Sequence, residues 1–206
     1  GNPIPNDLIS YMQTWKEMMP DWKIIEWNET NFDVSKSPLY VQEAYHARKF
    51  AFVSDYVRLW ALEKVGGLYM DVDFEVYKPF DDLMEQYSAF AGYEGSKKNP
   101  VMMGVLAAES HHSFIKAMIA TYADRKFVQK DGSLDLTPNT SYFYEWMTKQ
   151  GFVGDGLEKD WMGMHILSVE CFCPSLTTKI FVLNVHIANI KDCILGARIA
   201  VGNPYY

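Results

Sequence analysis

Gly66-Gly67-Leu68-Tyr69-Met70-Asp71-Val72-Asp73 is the stretch whose reading decides the fold of this 206-residue chain. A glycine pair feeds a short apolar run that ends in two carboxylates one residue apart. Alternate residues of a strand share a face, so Asp71 and Asp73 are expected about 7 Å apart on one side, with Leu68, Met70 and Val72 on the other. Two carboxylates on one face repel unless something positive sits near them. Hard oxygen ligands suit Mg²⁺ or Mn²⁺, which commonly take one or two protein carboxylates and fill their remaining positions with water and phosphate oxygens. The pattern therefore points to a divalent cation carrying a phosphate ester. A solvated strand end is the plain alternative for so short a motif, and the flanking sequence has to choose.

Upstream, Phe52, Val53, Tyr56, Val57, Trp60, Ala61 and Val65 recur at helical spacing between Ala51 and Val65, and Gly66 stands where a helix C-terminal cap is expected. Helix, glycine stop and strand follow in order. Ser54, Asp55 and Arg58 interrupt the apolar pattern, and their spacing puts Asp55 and Arg58 on one helix face. A surface ion pair there would contribute only about 0.3–0.5 kcal/mol.

Taken together, Ala51-Phe52-Val53-Ser54-Asp55-Tyr56-Val57-Arg58 and Gly66 to Asp73 closely resemble the DXD-motif sugar-transferase family. Its relatives include bacterial capsular-polysaccharide transferases, fungal initiating mannosyltransferases and clostridial glucosylating toxins. The flanks agree: Ile4-Pro5, Trp15, Pro20-Asp21-Trp22, Ile25 and Trp27 are similar to the family's opening segment. The resemblance runs from about residue 1 to about residue 182, with 183–206 divergent, inside a single domain spanning 1–206. It implies an α/β GT-A-like, Rossmann-like mixed sheet flanked by helices, a nucleotide-sugar donor and glycosyl transfer with retention at the anomeric carbon.

Carried over by position, the resemblance makes Asp73 a metal ligand, direct or through water, and Asp71 a contact to the donor's ribose and sugar. Asp55 and Arg58 become the pair that grips sugar hydroxyls and orients the diphosphate, with Ser54 and Tyr69 beside them on the donor side. Asp55, Arg58 and Asp71 are thus the expected catalytic residues. A cation and Arg58 would stabilise charge on the departing nucleoside diphosphate. Glu75 adds a further carboxylate to the same neighbourhood. Leu136-Thr137-Pro138-Asn139 falls where the family carries a turn near the acceptor side, so Asn139 joins the donor-binding candidates; a turn or cap role is the alternative. His186, in an apolar segment near the C-terminus, is the remaining candidate metal ligand.

Two departures from the family pattern stand out. The family's first strand, which lies centrally and helps hold the nucleotide base, is missing ahead of Gly1, so either the chain is truncated or something else takes that strand's place. The family's terminal Ser-Trp pair is also absent after His186. These departures keep a second class open, a non-catalytic nucleotide-sugar or glycan-binding domain. A haloacid-dehalogenase-type phosphatase also uses Asp-x-Asp after an apolar strand, but Phe74-Glu75 follow here instead of the residues that family needs.

Composition agrees with one enzyme domain. The chain is 49% hydrophobic and 15% aromatic, its formal charge is −7 and its pI is near 5.2, a balance that argues against a broad nucleic-acid surface. The family resemblance, not composition, implies UDP over GDP as the donor nucleotide and a glycan or lipid-linked acceptor of a bacterial surface polysaccharide. Cys171, Cys173 and Cys193 give no disulfide framework and read as reduced thiols, which suggests a bacterial cytoplasmic setting; the acceptor that the resemblance implies adds the inner face of the membrane, with peripheral contact only.

The remaining elements read coarsely. Helices are expected over Asp7 to Met19, Leu39 to Lys49, Phe80 to Gln86, from His111 through Tyr122, and over Thr140 to Gln150. Strands are expected over Trp22 to Trp27, Ser88 to Tyr93 and Pro100 to Ala107. His111 and His112 are adjacent on a helix and diverge, which favours separate structural roles over a shared metal. Tyr142, Phe143, Tyr144 and Trp146 read as core more than as sugar-stacking residues. The glycine-rich run Gly151 to Gly156 follows a helix, the wrong context for a phosphate loop.

Overall fold

The structure is a computed structural model that describes residues 6–95, 100–172, 182–184 and 197–201. Along the chain run α1 (Asn6–Met18), β1 (Lys23–Trp27), α2 (Leu39–His46), α3 (Phe50–Val65), β2 (Gly67–Met70), β3 (Phe74–Val76), α4 (Asp81–Gln86), β4 (Ala89–Tyr93) and β5 (Val101–Ala108). There follow α5 (Ser113–Ala120), α6 (Asn139–Lys149), β6 (Lys159–Trp161), β7 (Met164–Leu167), α7 (Val169–Phe172), β8 (Val182–Asn184) and β9 (Ala197–Val201). Seven strands form one mixed sheet in the order β1-β9-β2-β5-β4-β7-β6, antiparallel throughout except for the parallel pair β4 and β7. β3 and β8 make a separate two-stranded ribbon.

Both faces of the sheet are covered by helices, as expected of an α/β GT-A-like fold. Tyr69, Ala89, Ala91, Tyr93 and Leu106 point into a core built with α2, α3, α5 and α6. Leu68, Met70, Phe90, Val105 and Ala107 point the other way, toward Trp15 and Met19 of the α1 segment, Phe74, Phe80 and Phe172. Trp15 also donates its indole N–H to the Phe74 carbonyl at 2.7 Å, tying α1 to β3. No helix among the described residues is long and apolar enough to cross a membrane.

The helix–glycine–strand unit forms as the sequence predicts. The Gly66 amide closes α3 on the Leu62 carbonyl at 2.9 Å, and Gly66 takes φ +69°. A Cβ there would lie 2.7 Å from the Ser110 amide nitrogen, so glycine is required both by conformation and by the close passage of the loop after β5.

Three expectations change. The helix predicted over Leu39 to Lys49 stops at His46, because Arg48 turns into the left-handed region at φ 58° and a new helix starts at Phe50. The strand expected to carry Asp71 and Asp73 stops at Met70; residues 71–73 leave the sheet as a turn, closed by the Phe74 amide on the Asp71 carbonyl at 3.3 Å. The same-face argument for the two carboxylates therefore does not apply, and their proximity is set by a turn. Third, the position between β1 and β2 is taken by β9, which pairs antiparallel with both (Glu26 with Arg198, Met70 with Arg198).

Candidate donor site

Arg58 is the anchor of the site. It sits on the face of α3 that packs against the sheet and is only 5% exposed, so the surface ion pair considered from sequence is a buried one. Nη2 donates to Asp55 Oδ1 at 2.7 Å, Nη1 donates to the Met103 carbonyl at 2.6 Å, and Nε points to the Ser54 carbonyl at 3.4 Å. Nη1 also lies 3.5 Å from Asp71 Oδ2, and the guanidinium carbon stands 4.6 Å from the centre of the Tyr69 ring. One planar cation thus joins α3, the end of β2 and the start of β5. Lysine, with a single point charge, has no equivalent set of bonds.

Tyr69 and Asp71 form the second half of the network. Tyr69 points into the helix-covered core, and its hydroxyl donates a short hydrogen bond to Asp71 Oδ1. Burial, opposed by Arg58, pushes the phenol well above its ordinary pKa, so it remains a donor. Asp71 has 37% of its side chain exposed, so a carboxylate steered by Arg58 and Tyr69 still opens to solvent.

The strand opposite makes room for this carboxylate. In β5, Val101 and Met103 face the same core as Leu106 and Ala108, so the alternation of the strand reverses at Gly104. The β4–β5 register shifts in the same place: Ala91 pairs with Leu106, but Tyr93 pairs with Val101. Extra residues in one strand re-aim its backbone groups, and here the bulge turns the Met103 carbonyl to Arg58. The Asp71 amide bonds the Gly104 carbonyl at 2.8 Å. A Cβ on Gly104 would lie 2.7 Å from Phe74 Cε2 and 2.9 Å from Asp71 Oδ2.

On the other side of Arg58 lies Asp55, with 17% of its side chain exposed. Burial raises its pKa above the ordinary carboxylate value, against the opposing pull of Arg58; Asp71 adds to the rise, and Asn139 and Arg125 counter it. Asn139, the first residue of α6, is 6% exposed and neither atom of its carboxamide has a hydrogen-bond partner. It stands near enough to favour the charge on Asp55, yet outside hydrogen-bond geometry. A buried amide with no partner normally costs about 1–3 kcal/mol, so the position invites a polar ligand that bridges the two side chains.

The other candidates fall in different places. The Ser54 hydroxyl is bonded within α3 to the Ala51 carbonyl at 2.8 Å. Glu75 on β3 accepts from the Tyr77 hydroxyl at 2.7 Å. Asp73 lies on the turn after Asp71, and His186 lies outside the described residues. Carboxylate oxygens such as those of Asp71 and Asp73 are the donor type that Mg²⁺ or Mn²⁺ takes together with diphosphate oxygens, and among the described residues no three His, Cys, Asp or Glu side chains gather into a metal-holding group. His111 pairs with Glu63 at 2.9 Å, while His112 caps α5, accepting from the Phe114 amide. Phe143 is core, and Tyr142 packs on Arg125. Sequence reasoning missed Met103, Gly104 and Arg125. Only the glycine inside an apolar strand carried a signal, since such glycines often mark bulges.

Residues 5–90 match the family described as "Glycosyltransferase sugar-binding region containing DXD motif". Glucan organizing enzyme 1 of Cryptococcus neoformans var. grubii serotype A is 31% identical over 83 residues, covering 36% of this chain and 22% of that protein. The chain thus spans about a fifth of the matched relative (22%). That relative is fungal and lends no support to the bacterial setting expected from sequence.

Proposed function

We propose, given that residues 5–90 match the DXD-containing glycosyltransferase sugar-binding region, that the domain transfers a sugar from a nucleoside-diphosphate sugar to a glycan or lipid-linked acceptor. The observation that carries this reading is the convergence of Asp55, Arg58 and Asp71 at one end of the sheet, within the matched residues. Asp55 accepts hydrogen bonds from hydroxyls of the transferred sugar, and the Asn139 carboxamide completes that contact. Asp71, steered by Arg58 and Tyr69, turns its open edge to the ribose and sugar. Asp71 and Asp73 would hold a divalent cation, which when bound neutralises charge on the diphosphate. Arg58 is the nearby protein cation, and its fixed position lets it favour the same charge without reorganising. In this reading the sugar is transferred with retention and UDP is the donor nucleotide, serving surface polysaccharide synthesis.

The test is a panel of UDP- and GDP-sugars with Mn²⁺, scored for hydrolysis and for transfer to oligosaccharide and lipid-linked acceptors. Turnover of one donor with an anomeric configuration preserved in the product is the expected result. Tight binding with neither hydrolysis nor transfer would instead identify a non-catalytic nucleotide-sugar-binding domain. Hydrolysis of p-nitrophenyl phosphate without nucleotide-sugar binding would replace the reading by a phosphatase.

A further inference from the structure

Arg125, in the turn region after α5, is a second nearly buried arginine close to the site. Its Nη2 donates to Asp135 Oδ2 at 2.9 Å, and its guanidinium carbon lies 3.6 Å from the centre of the Tyr142 ring and 4.2 Å from that of Tyr40. Those rings come from α6 and α2, so one side chain clamps two helices and a loop. The loop is closed at its base. The Asp135 amide bonds the Phe127 carbonyl at 2.8 Å, and the Phe127 and Val128 amides both donate to the Glu43 carboxylate of α2, at 2.8 and 3.0 Å. Beyond the clamp, Asp135 Oδ1 accepts from the Thr137 amide at 3.1 Å, and the Pro138 carbonyl accepts from the Tyr142 amide at 3.0 Å, starting α6 at Asn139. A continuous set of bonds therefore leads from Arg125 to the one buried carboxamide among the described residues that lacks a partner.

We propose that Arg125 is a positioning residue for recognition of the transferred sugar: paired with Asp135 and seated on Tyr40 and Tyr142, it fixes the turn that sets the Asn139 carboxamide beside Asp55. The proposal rests on the donor-site reading above. It assigns a role to residues beyond the matched segment and to a side chain that touches no substrate itself. Arginine suits the position because a planar guanidinium stacks on aromatic faces while its edge holds a carboxylate. Electrostatics add to geometry, since the same guanidinium favours the ionised form of Asp55, the form that accepts sugar hydroxyls.

The experiment compares two affinities in one protein: that of the nucleotide sugar the wild type binds best and that of the corresponding nucleoside diphosphate, both with Mn²⁺. Arg125→Met is expected to leave the nucleoside diphosphate within about twofold of wild type and to lower nucleotide-sugar affinity about tenfold, the equivalent of one lost polar contact. Asp135→Asn, a milder change, shifts the same ratio in the same direction, and Arg125→Lys does not restore it. Asn139→Ala reproduces the loss, and adding Arg125→Met to Asn139→Ala lowers affinity no further, because the first acts through the second. The proposal is overturned if the Arg125 and Asp135 variants keep the full gain from the sugar, if both affinities fall together, or if the double variant is additive. A wild type that gains nothing from the sugar overturns the donor-site reading and this inference with it.

Discussion

Arg58 makes five contacts from a position with almost no access to water, and its removal leaves Asp55 and the Met103 carbonyl without their partner. Breaking a buried pair by deleting one member typically costs about 3–5 kcal/mol, so Arg58→Ala is expected to lower unfolding free energy by that order in a denaturant titration and to abolish donor binding. That Asp55 and Arg58 meet was legible from their spacing. That they meet inside the protein was not, because burial depends on β5 passing over the helix. Asp55 also fixes a pH dependence. It is faced by Arg58 on its own helix, Asp71 after β2, Arg125 after α5, Asn139 on α6 and the hydroxyls of Tyr40 and Tyr122. Burial raises its pKa, so it takes up a proton at a higher pH than an ordinary carboxyl near about 4. The affinity gained from the sugar should therefore fall, as pH drops, through a midpoint above that value. Stability runs the opposite way: the native state binds this proton more tightly than the unfolded chain, so ionising Asp55 removes stability as pH rises through that window. Asp55→Asn should flatten both slopes.

Among the elements, β5 decides whether the site exists. Its reversal at Gly104 gives Arg58 a carbonyl and leaves Asp71 the space for a carboxylate. Gly104→Ala places a methyl group 2.7 Å from the buried Phe74 ring and 2.9 Å from Asp71 Oδ2. The ring cannot retreat freely from the core, so a loss of about 1–3 kcal/mol is expected, with weaker donor binding because Asp71 is pushed from Arg58 and Tyr69. Thermal unfolding and nucleotide-sugar titration of the same variant check the two effects together. Sequence periodicity located β5 closely, at Pro100 to Ala107 against an observed Val101–Ala108, because the run is apolar on both faces. For the same reason it hid the bulge: with every residue of the strand buried, no polar alternation was left to show the phase changing. α6 poses the opposite case. Its start at Asn139 follows from Pro138, but the missing partner of that carboxamide depends on the loop pinned by Arg125.

Across the whole molecule, the site is assembled from two unequal parts of the chain. The matched segment, residues 5–90, supplies Asp55, Arg58, Tyr69, Asp71 and Asp73 on one helix–turn–strand unit. Local spacing governs that unit, and for this reason it could be read from sequence. The rest supplies the surroundings: Met103 and Gly104 from β5, Arg125 from the turn after α5, Asn139 from α6, and β9 in the sheet between β1 and β2. These contacts join residues tens of positions apart, whose meeting is fixed by topology and leaves no periodic trace. The two-carboxylate motif itself was found by sequence, but through a strand geometry that the fold replaces with a turn after Met70. In the function proposed above, this turn and the Asp55–Arg58–Asp71 network would form a metal-assisted site for a nucleotide sugar. Its most direct test is calorimetric titration of UDP- and GDP-sugars with Mn²⁺, after chelation with EDTA, and with Asp73→Asn. Binding that requires the metal and falls at least about tenfold in the variant is the expected result. Equal affinity in all three conditions, or no binding in any, would contradict the claim.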